Sequence, residues 1–471
     1  MSEVLVLDTA LWIGIALSYV LGTFFAIDAL WQGRTSQSTI AWFLGLVFLP
    51  FFTLPLYALF GGRRFHGYIR ARRHGHEELD LLAQNAIRFL EPWKQPANEL
   101  TRPLIPLFLS APLDGNATTL LTTGRDFYGQ MFQSIKEAEH SICIQFYIIR
   151  SDVSGNILGD LLCLKAQQGV NVYVLYDEIG SNGLQRAFVK RLQNAGVKIS
   201  KFNSSRYIRT RMQINFRNHR KLVVCDGKTA YVGGYNFADE YLGTGKVLPF
   251  WRDTHLKIEG PAALSFQIIY SEDWHWATHE LPTLHWPEPV EKGTDKVMSI
   301  ASGPADSVES ASLYFTHLIQ TAKKRCWLVS PYFVPDDNLI YALKLAGLRG
   351  IDVRVLIPIK SDSWFVHQAM RDHIPKLQKC GVKFFSYTKG FLHQKVVLLD
   401  DEWSSIGSCN LDYRSLHINF ELNALVRSKK LNQQVSDMLT LDFADSTPTV
   451  ISNHWWPQFL TKCARLMSPL L

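Results

Sequence analysis

The chain opens on two long apolar stretches and then changes period. Residues 9–27 run for 19 positions and residues 35–62 for 28 without a charged side chain, each enough to cross a hydrocarbon layer of roughly 30 Å as a helix. A short polar loop from Trp31 to Arg34 separates them, and Trp12, Trp31, Trp42 and Tyr57 stand where aromatic side chains anchor helices at a membrane interface. The pattern predicts an N-terminal two-helix transmembrane hairpin over residues 1–62, with spans at about 9–27 and 39–60. Pro50 and Pro55 should kink the second span, which a membrane helix tolerates. From about residue 111 the apolar runs shorten to strand length and alternate with helical patterns. Residues 141–147 (SICIQFY), 169–175 (GVNVYVL) and 195–198 (AGVK) return as 326–332 (CWLVSPY), 350–356 (GIDVRVL) and 380–383 (CGVK). The order strand, helix, strand, helix, strand, hairpin thus occurs twice, which predicts an α/β protein of two similar halves, each a mixed β-sheet flanked by helices. The halves fall at 111–290 and 291–471, after a connector at 63–110.

Charge orients the hairpin. Arg63, Arg64, Arg70, Arg72 and Arg73 follow the second apolar run, against a single arginine in the loop between the runs, so the positive-inside rule places both ends in the cytoplasm. The basic connector is expected on anionic headgroups, at about 1 kcal/mol per basic residue. Glu3 and Asp8, rather than basic residues, precede the first run, so a cleaved signal peptide is not expected. A net charge of +7 over 471 residues is too mild to argue for a nucleic-acid partner. Seven cysteines, at 143, 163, 225, 326, 380, 409 and 463, with no C-x-x-C pair, read as reduced thiols of a cytosolic compartment.

One motif occurs twice. His219-Arg-Lys221 with Asp226 and, 174 residues on, His393-Gln-Lys395 with Asp400 are both H-x-K-x4-D. Six residues separate each aspartate from a small pair and an asparagine, Gly233-Gly234-Tyr-Asn236 in one copy and Gly407-Ser408-Cys-Asn410 in the other. Strand alternation puts His219 and Lys221 on one face, and His393 and Lys395 likewise. Asp226 and Asp400 fall at strand ends where a turn opens, and are expected to anchor the catalytic motif. The residue types suit a phosphodiester, an anion that resists attack unless its oxygens are neutralised and both a nucleophile and a leaving-group acid are supplied. Two imidazoles in opposite protonation states supply the last two. Lys221, Lys395, Asn236 and Asn410 would donate to the non-bridging oxygens. No P-loop occurs, and no Asp/Glu/His cluster has metal-ligand spacing, so neither nucleotide nor metal cofactor is expected. His275 and His279 stand i, i+4 but lack a third ligand; their Trp-rich segment reads instead as a linker or an apolar, lipid-facing lid.

The paired motifs resemble the phospholipase D superfamily, whose active site forms where two such halves meet at a pseudo-two-fold axis. The resemblance implies a phosphohistidine intermediate, with His219 attacking and His393 as general acid and then base. It also implies a carboxylate on a strand after each motif to orient the imidazole. The matching positions are Asp253, 34 residues past His219, and Glu421, 28 past His393, with Glu240 a competitor in the first half. With the paired N-terminal spans, the FGGRRF at 60–65 and the terminal RLMSPLL, the whole chain looks like the bacterial cardiolipin synthases. Transfer of a phosphatidyl group from one phosphatidylglycerol to another would then give cardiolipin and glycerol. The implied setting is the bacterial inner membrane, as a multi-pass protein with a cytoplasmic catalytic domain. Its partners would be phosphatidylglycerol, cardiolipin and other membrane lipids, with no nucleic acid and no nucleotide; oligomeric state stays open. A phospholipase D releasing phosphatidic acid shares the motifs. A membrane-tethered nuclease would need a basic, aromatic-lined groove, and an inert scaffold is disfavoured by two complete motif sets.

Overall fold

The computed structural model describes residues 2–31, 36–61, 86–202, 216–243, 250–451 and 454–465. The arginine cluster after the second apolar run, residues 63–85 of the connector and residues 466–471 lie outside these. Two compact units result, one made of residues 1–69 with 205–216, the other of 70–204 with 217–471.

In the first unit, helices α1 (Ser2–Trp31), α2 (Ser36–Phe48) and α3 (Pro50–Phe60) follow one another. Leu11–Trp31 of α1 is long and apolar enough to cross a membrane, by length and composition. The second apolar run is not the single kinked span expected from sequence. It breaks at Leu49 into helices of 13 and 11 residues. Proline at the first position of a helix loses no hydrogen bond, but it drives the preceding residue out of the helical region, and Leu49 sits at φ −133°, ψ 51°. Both short helices pack along α1 around Ala26, Ala29, Leu46 and Tyr57. The Tyr57 hydroxyl donates to Asp28 Oδ2 at 2.8 Å, giving a partner to a carboxylate that apolar surroundings would penalise. Trp12, Val20, Phe24, Phe51 and Phe52 point outward, so the bundle is apolar outside as well as in.

The second unit is built on one sheet. Its first-half strands are β1 (Leu113–Leu121), β2 (Ser141–Phe146), β3 (Asn171–Asp177), β4 (Lys198–Phe202), β5 (Leu222–Cys225), β6 (Thr229–Gly233), β7 (Trp251–Arg252) and β8 (His255–Glu259). The second half repeats them as β9 (Asp295–Ser302), β10 (Arg325–Val329), β11 (Phe333–Val334), β12 (Asp352–Pro358), β13 (Lys383–Tyr387), β14 (Phe391–Leu392), β15 (Val396–Leu399), β16 (Trp403–Gly407), β17 (Leu411–Asp412) and β18 (Glu421–Arg427), and ends in β19 (Ser446–Pro448). Fifteen strands pair in the order β19-β13-β12-β10-β15-β16-β18-β9-β1-β8-β6-β5-β2-β3-β4. Read outward from the antiparallel β1/β9 junction, the two arms have the same order: β8-β6-β5-β2-β3-β4 on one side matches β18-β16-β15-β10-β12-β13 on the other. Each arm mixes parallel strands, joined through helices, with an antiparallel motif hairpin.

Each arm has its own core. One gathers Phe127, Ile142, Ile144, Val223 and Tyr231, the other Tyr314, Leu328, Val355, Leu399 and Leu425. The Trp-rich segment before the junction is not a lid. Helix Ala262–Thr278 carries Trp274 and Trp276 buried, with Trp274 edge-on to Tyr173, and ends at His279, whose positive φ of 61° terminates the helix.

Candidate active site

Each motif histidine sits just ahead of the first strand of a motif hairpin, on a segment that pairs with the opposite half. β14 lies parallel to β7, and Asn218 bridges Phe420 in the equivalent way. The histidine N–H groups close these contacts: His219 donates to Phe420 O at 2.9 Å and His393 to Arg252 O at 2.7 Å. The residue after each acceptor is a buried carboxylate. Glu421 Oε2 therefore meets His219 Nδ1 at 3.0 Å, and Asp253 Oδ2 meets His393 Nδ1 at 2.5 Å. The carboxylates are those picked out in the sequence, but the pairing is crossed. Asp253, expected to serve the histidine of its own half, holds that of the second, and Glu421 holds that of the first. The competitor Glu240 instead pairs with Arg150 at 3.4 Å.

Burial opposes ionisation of both carboxylates, yet Lys395 and His393 around Asp253, and His219 and Lys221 around Glu421, hold them below the usual carboxylate range. As anions they accept Nδ1–H, which fixes the tautomer and leaves each Nε2 lone pair free. Burial pushes both imidazoles down to about 4; at His219 Glu421 works against it, while at His393 Lys395 adds to it before Asp253 opposes. Without substrate both rings are therefore neutral at pH 7, rather than in opposite states.

His219 and His393 line one cavity of about 540 Å³. Tyr147 packs edge-on to His219 at 5.1 Å between ring centroids, and Trp251 lies 5.1 Å from His393. Asn236 and Asn410 line the same cavity. Asn236 is engaged at both ends, accepting from Ile148 N and donating to the Tyr241 hydroxyl, whereas Asn410 Oδ1 is buried with no partner among the described residues. The lysines lie differently from expectation. Lys221 Nζ donates to His219 O at 2.6 Å, and Lys395 Nζ contacts His393 O and lies 2.9 Å from His393 Nδ1, so both ammoniums sit beneath the rings and neither forms the cavity wall. Burial lowers both, Lys395 to about 8.

Asp226 and Asp400, counted with the motif, do not line the cavity. Asp226 accepts the N–H groups of Glu139, His140 and Ser141, each at 2.8 Å, and Asp400 accepts those of Lys323, Lys324 and Arg325. Each thereby ties its hairpin to the start of the neighbouring strand. Both occupy the left-handed region, φ 53° and 49°, which aspartate tolerates better than most residues. The middle residue of each motif faces away from its neighbours: Arg220 makes a buried ion pair with Asp273 at 2.8 Å, and Gln394 donates to Thr254 Oγ1.

Several lining residues escaped the sequence reading. Tyr147 and Tyr332 end the matched runs at 141–147 and 326–332, so their duplication was visible. Arg217, Arg414, Asp412 and Asn419 also line the cavity, and nothing in their local pattern marks them.

Two repeated α/β arms delivering one histidine each to a shared cavity define a phospholipase D-like protein. A family profile described as cardiolipin synthase, phospholipase D-like domain, matches residues 131–245 and 315–441, and one described as phospholipase D-nuclease N-terminal matches 10–62. Cardiolipin synthase A of Pseudomonas putida strain W619 is 42% identical over 469 residues, covering 97% of this chain and 98% of its own. Cardiolipin synthase A of Pseudomonas aeruginosa strain LESB58 is 42% identical over 464 residues, 96% of this chain and 94% of its own. The crystal structure of a phosphatidylserine synthase from Haemophilus influenzae shares the fold, with a TM-score of 0.61 at 14% identity, over 79% of this chain and all of that one. The chain belongs to the cardiolipin synthase family.

Proposed function

We propose that the protein transfers a phosphatidyl group from one phosphatidylglycerol to the glycerol hydroxyl of a second, through a phosphohistidine, releasing glycerol. The observation carrying this reading is the pair of imidazoles in one cavity, each with Nδ1 bonded to a carboxylate, a bond that leaves Nε2 as the nucleophilic nitrogen. The donor phosphodiester enters between two neutral rings. Its negative charge favours a proton on the facing imidazole. His219 Nε2 attacks phosphorus while His393 protonates the departing glycerol oxygen; His393 then takes the proton of the incoming hydroxyl as that oxygen displaces His219. Asn410 and Asn236 contact the non-bridging oxygens. Lys221 and Lys395, beneath the rings, offset the charge of the five-coordinate phosphorus through space. One phosphodiester is exchanged for another, so the reaction is close to isoenergetic and needs no nucleotide. Aromatic walls from Tyr147, Trp251 and Tyr332 keep water from the phosphohistidine.

The apolar exterior of α1 to α3 and the arginines that follow support a two-pass membrane anchor with both ends, and the catalytic unit, on the cytoplasmic face of a bacterial inner membrane. The test is incubation of the purified protein with phosphatidylglycerol vesicles, chelator and no nucleotide. Cardiolipin and glycerol in equal amounts support the reading. Phosphatidic acid in their place would make the protein a hydrolase, and a requirement for divalent ions would remove the metal-free scheme.

A further inference from the structure

Arg217 and Arg414 stand on the wall of the histidine cavity but have no part in the scheme above. Arg217 stands two residues before His219 of the first motif, and Arg414 lies on the one-turn helix Tyr413–His417 that follows Asn410. They reach the same region from opposite halves. Tyr147 links them to the chemistry: its ring is edge-on to His219, and its hydroxyl lies against Arg217 and within electrostatic range of Arg414. Arg217 and Arg414 line the same cavity as the two histidines, and burial, with the Arg217 charge adding to it, lowers Arg414 from its usual range. The wall carries other charges, and of these Asp412, with Asp177 behind it, lies within electrostatic range of Arg414. Arg150 faces Glu240, Asp362 accepts from the Tyr332 hydroxyl at 2.7 Å, and Asp412 caps the one-turn helix by accepting from Ser415 N.

A second observation concerns hydroxyl recognition. Asn419, 5% exposed, also lines the cavity, and its Nδ2 donates to Glu421 Oε1 at 3.1 Å. That bond fixes the amide orientation, because a carboxylate accepts only. Asn419 Oδ1 is buried with no partner among the described residues, an acceptor suited to an alcohol O–H.

We propose that Arg217 and Arg414 form a second anion subsite, which takes the phosphodiester of the acceptor lipid while the donor phosphorus is held at the histidines. The proposal rests on the reading that the acceptor is a second phosphatidylglycerol. Such an acceptor is an anion attacking an anion, and its own phosphate is only a glycerol unit from the attacking hydroxyl. A guanidinium pair one tyrosine ring away from the reacting imidazole offsets this repulsion with bidentate hydrogen bonds. Asn419 Oδ1 receives a glycerol hydroxyl between the two phosphates. Water and free glycerol have no such charge, so the pair favours the lipid acceptor over both.

The test is a partition experiment. Full-length protein in phosphatidylglycerol vesicles is supplied with radiolabelled glycerol, so that one phosphohistidine is resolved by two acceptors. Lipid acceptor gives cardiolipin; glycerol gives labelled phosphatidylglycerol. Their ratio does not depend on how much enzyme folds or on how fast the intermediate forms. In Arg217→Gln and Arg414→Gln the ratio of cardiolipin to labelled phosphatidylglycerol should fall tenfold or more, with Arg414→Lys intermediate. An unchanged ratio in both glutamine variants, whether or not total turnover drops, overturns the proposal, as does loss of both products in both variants. Wild-type protein that exchanges glycerol but makes no cardiolipin would instead refute the acceptor reading itself.

Discussion

The two halves reach the same end with different side chains. In the second, Glu421 is tethered by Ser408 Oγ at 2.6 Å and Asn419 Nδ2 at 3.1 Å before it holds His219. In the first, Asp253 is one methylene shorter, and the position equivalent to Ser408 is Gly234. A Cβ on Gly234 would stand 2.0 Å from Asp253 Oδ1, so the aspartate fits only because that side chain is missing. Long acid with a hydroxyl tether and short acid against bare backbone are two solutions to one requirement, a fixed carboxylate oxygen at Nδ1 of the opposite histidine. The difference teaches that the repeat conserves the geometry of the pair while leaving its residues free to change in compensating sets.

The sharpest way to break the comparison is to remove the rings. His219→Ala and His393→Ala should each cost about 10⁴-fold or more in cardiolipin formation. With an activated p-nitrophenyl phosphodiester, which needs no acid, His393→Ala should still accumulate a covalent adduct detectable by intact mass, and His219→Ala should not. The reverse outcome would exchange the two roles. Next come the carboxylates. Asp253→Asn and Glu421→Gln should each lower turnover by about 10³-fold through loss of the correct tautomer, with the Asp253 variant impairing protonation of the natural leaving group more than adduct formation from the activated substrate. Equal damage to both steps in both variants would erase the distinction between the halves.

A finer probe transplants one solution into the other half. Gly234→Ser and Asp253→Glu should each reduce activity by about 10- to 100-fold, and the double variant should recover a large part of the loss, giving a clear coupling in a double-mutant cycle. Additive losses would show that the two sets are not interchangeable. The pH response is smaller still. Both imidazoles have folded-state values near 4, below the unfolded value, so their neutral forms contribute stability fully above pH 6.5 that is lost as pH falls from 6.5 toward 4. Thermal melts should weaken across that window, and initial rates should drop about tenfold per unit below pH 4 as His219 gains a proton. A rate independent of pH from 6 to 3 would count against a neutral imidazole nucleophile. Last, Asp226→Ala should lower unfolding free energy by about 2 kcal/mol, since it leaves three N–H groups without an acceptor in a mostly buried turn, and Asp400→Ala should cost less because its partners are exposed. Denaturant melts measure both, and catalysis in the folded fraction should persist.

Much of this was legible in the sequence because the duplication doubled every signal. His219 and His393 could be singled out from fifteen histidines, and the matched strand runs gave the order of the arms. The crossing of the carboxylates was not legible. Spacing along a chain ties Asp253 to the nearest histidine, whereas the parallel pairing of β7 with β14 ties it to the far one. The inward turn of the lysines was hidden too, since alternation gives the face but not which of two neighbours reaches the surface. Leu49 marks a third limit: uncharged length suggested one span, and a single proline divided it. Arg217 and Arg414 carry no local pattern, and only folding brings them together.

The crossed pairing makes the protein a reciprocal machine in which neither repeat owns its catalyst. A substitution on β18 is felt at the histidine of the first repeat, one beside β7 at that of the second, and either repeat produced alone would carry a correctly placed ring with nothing to aim it. Separation of the two at the β1/β9 seam would therefore silence both at once, even if each arm kept its own core.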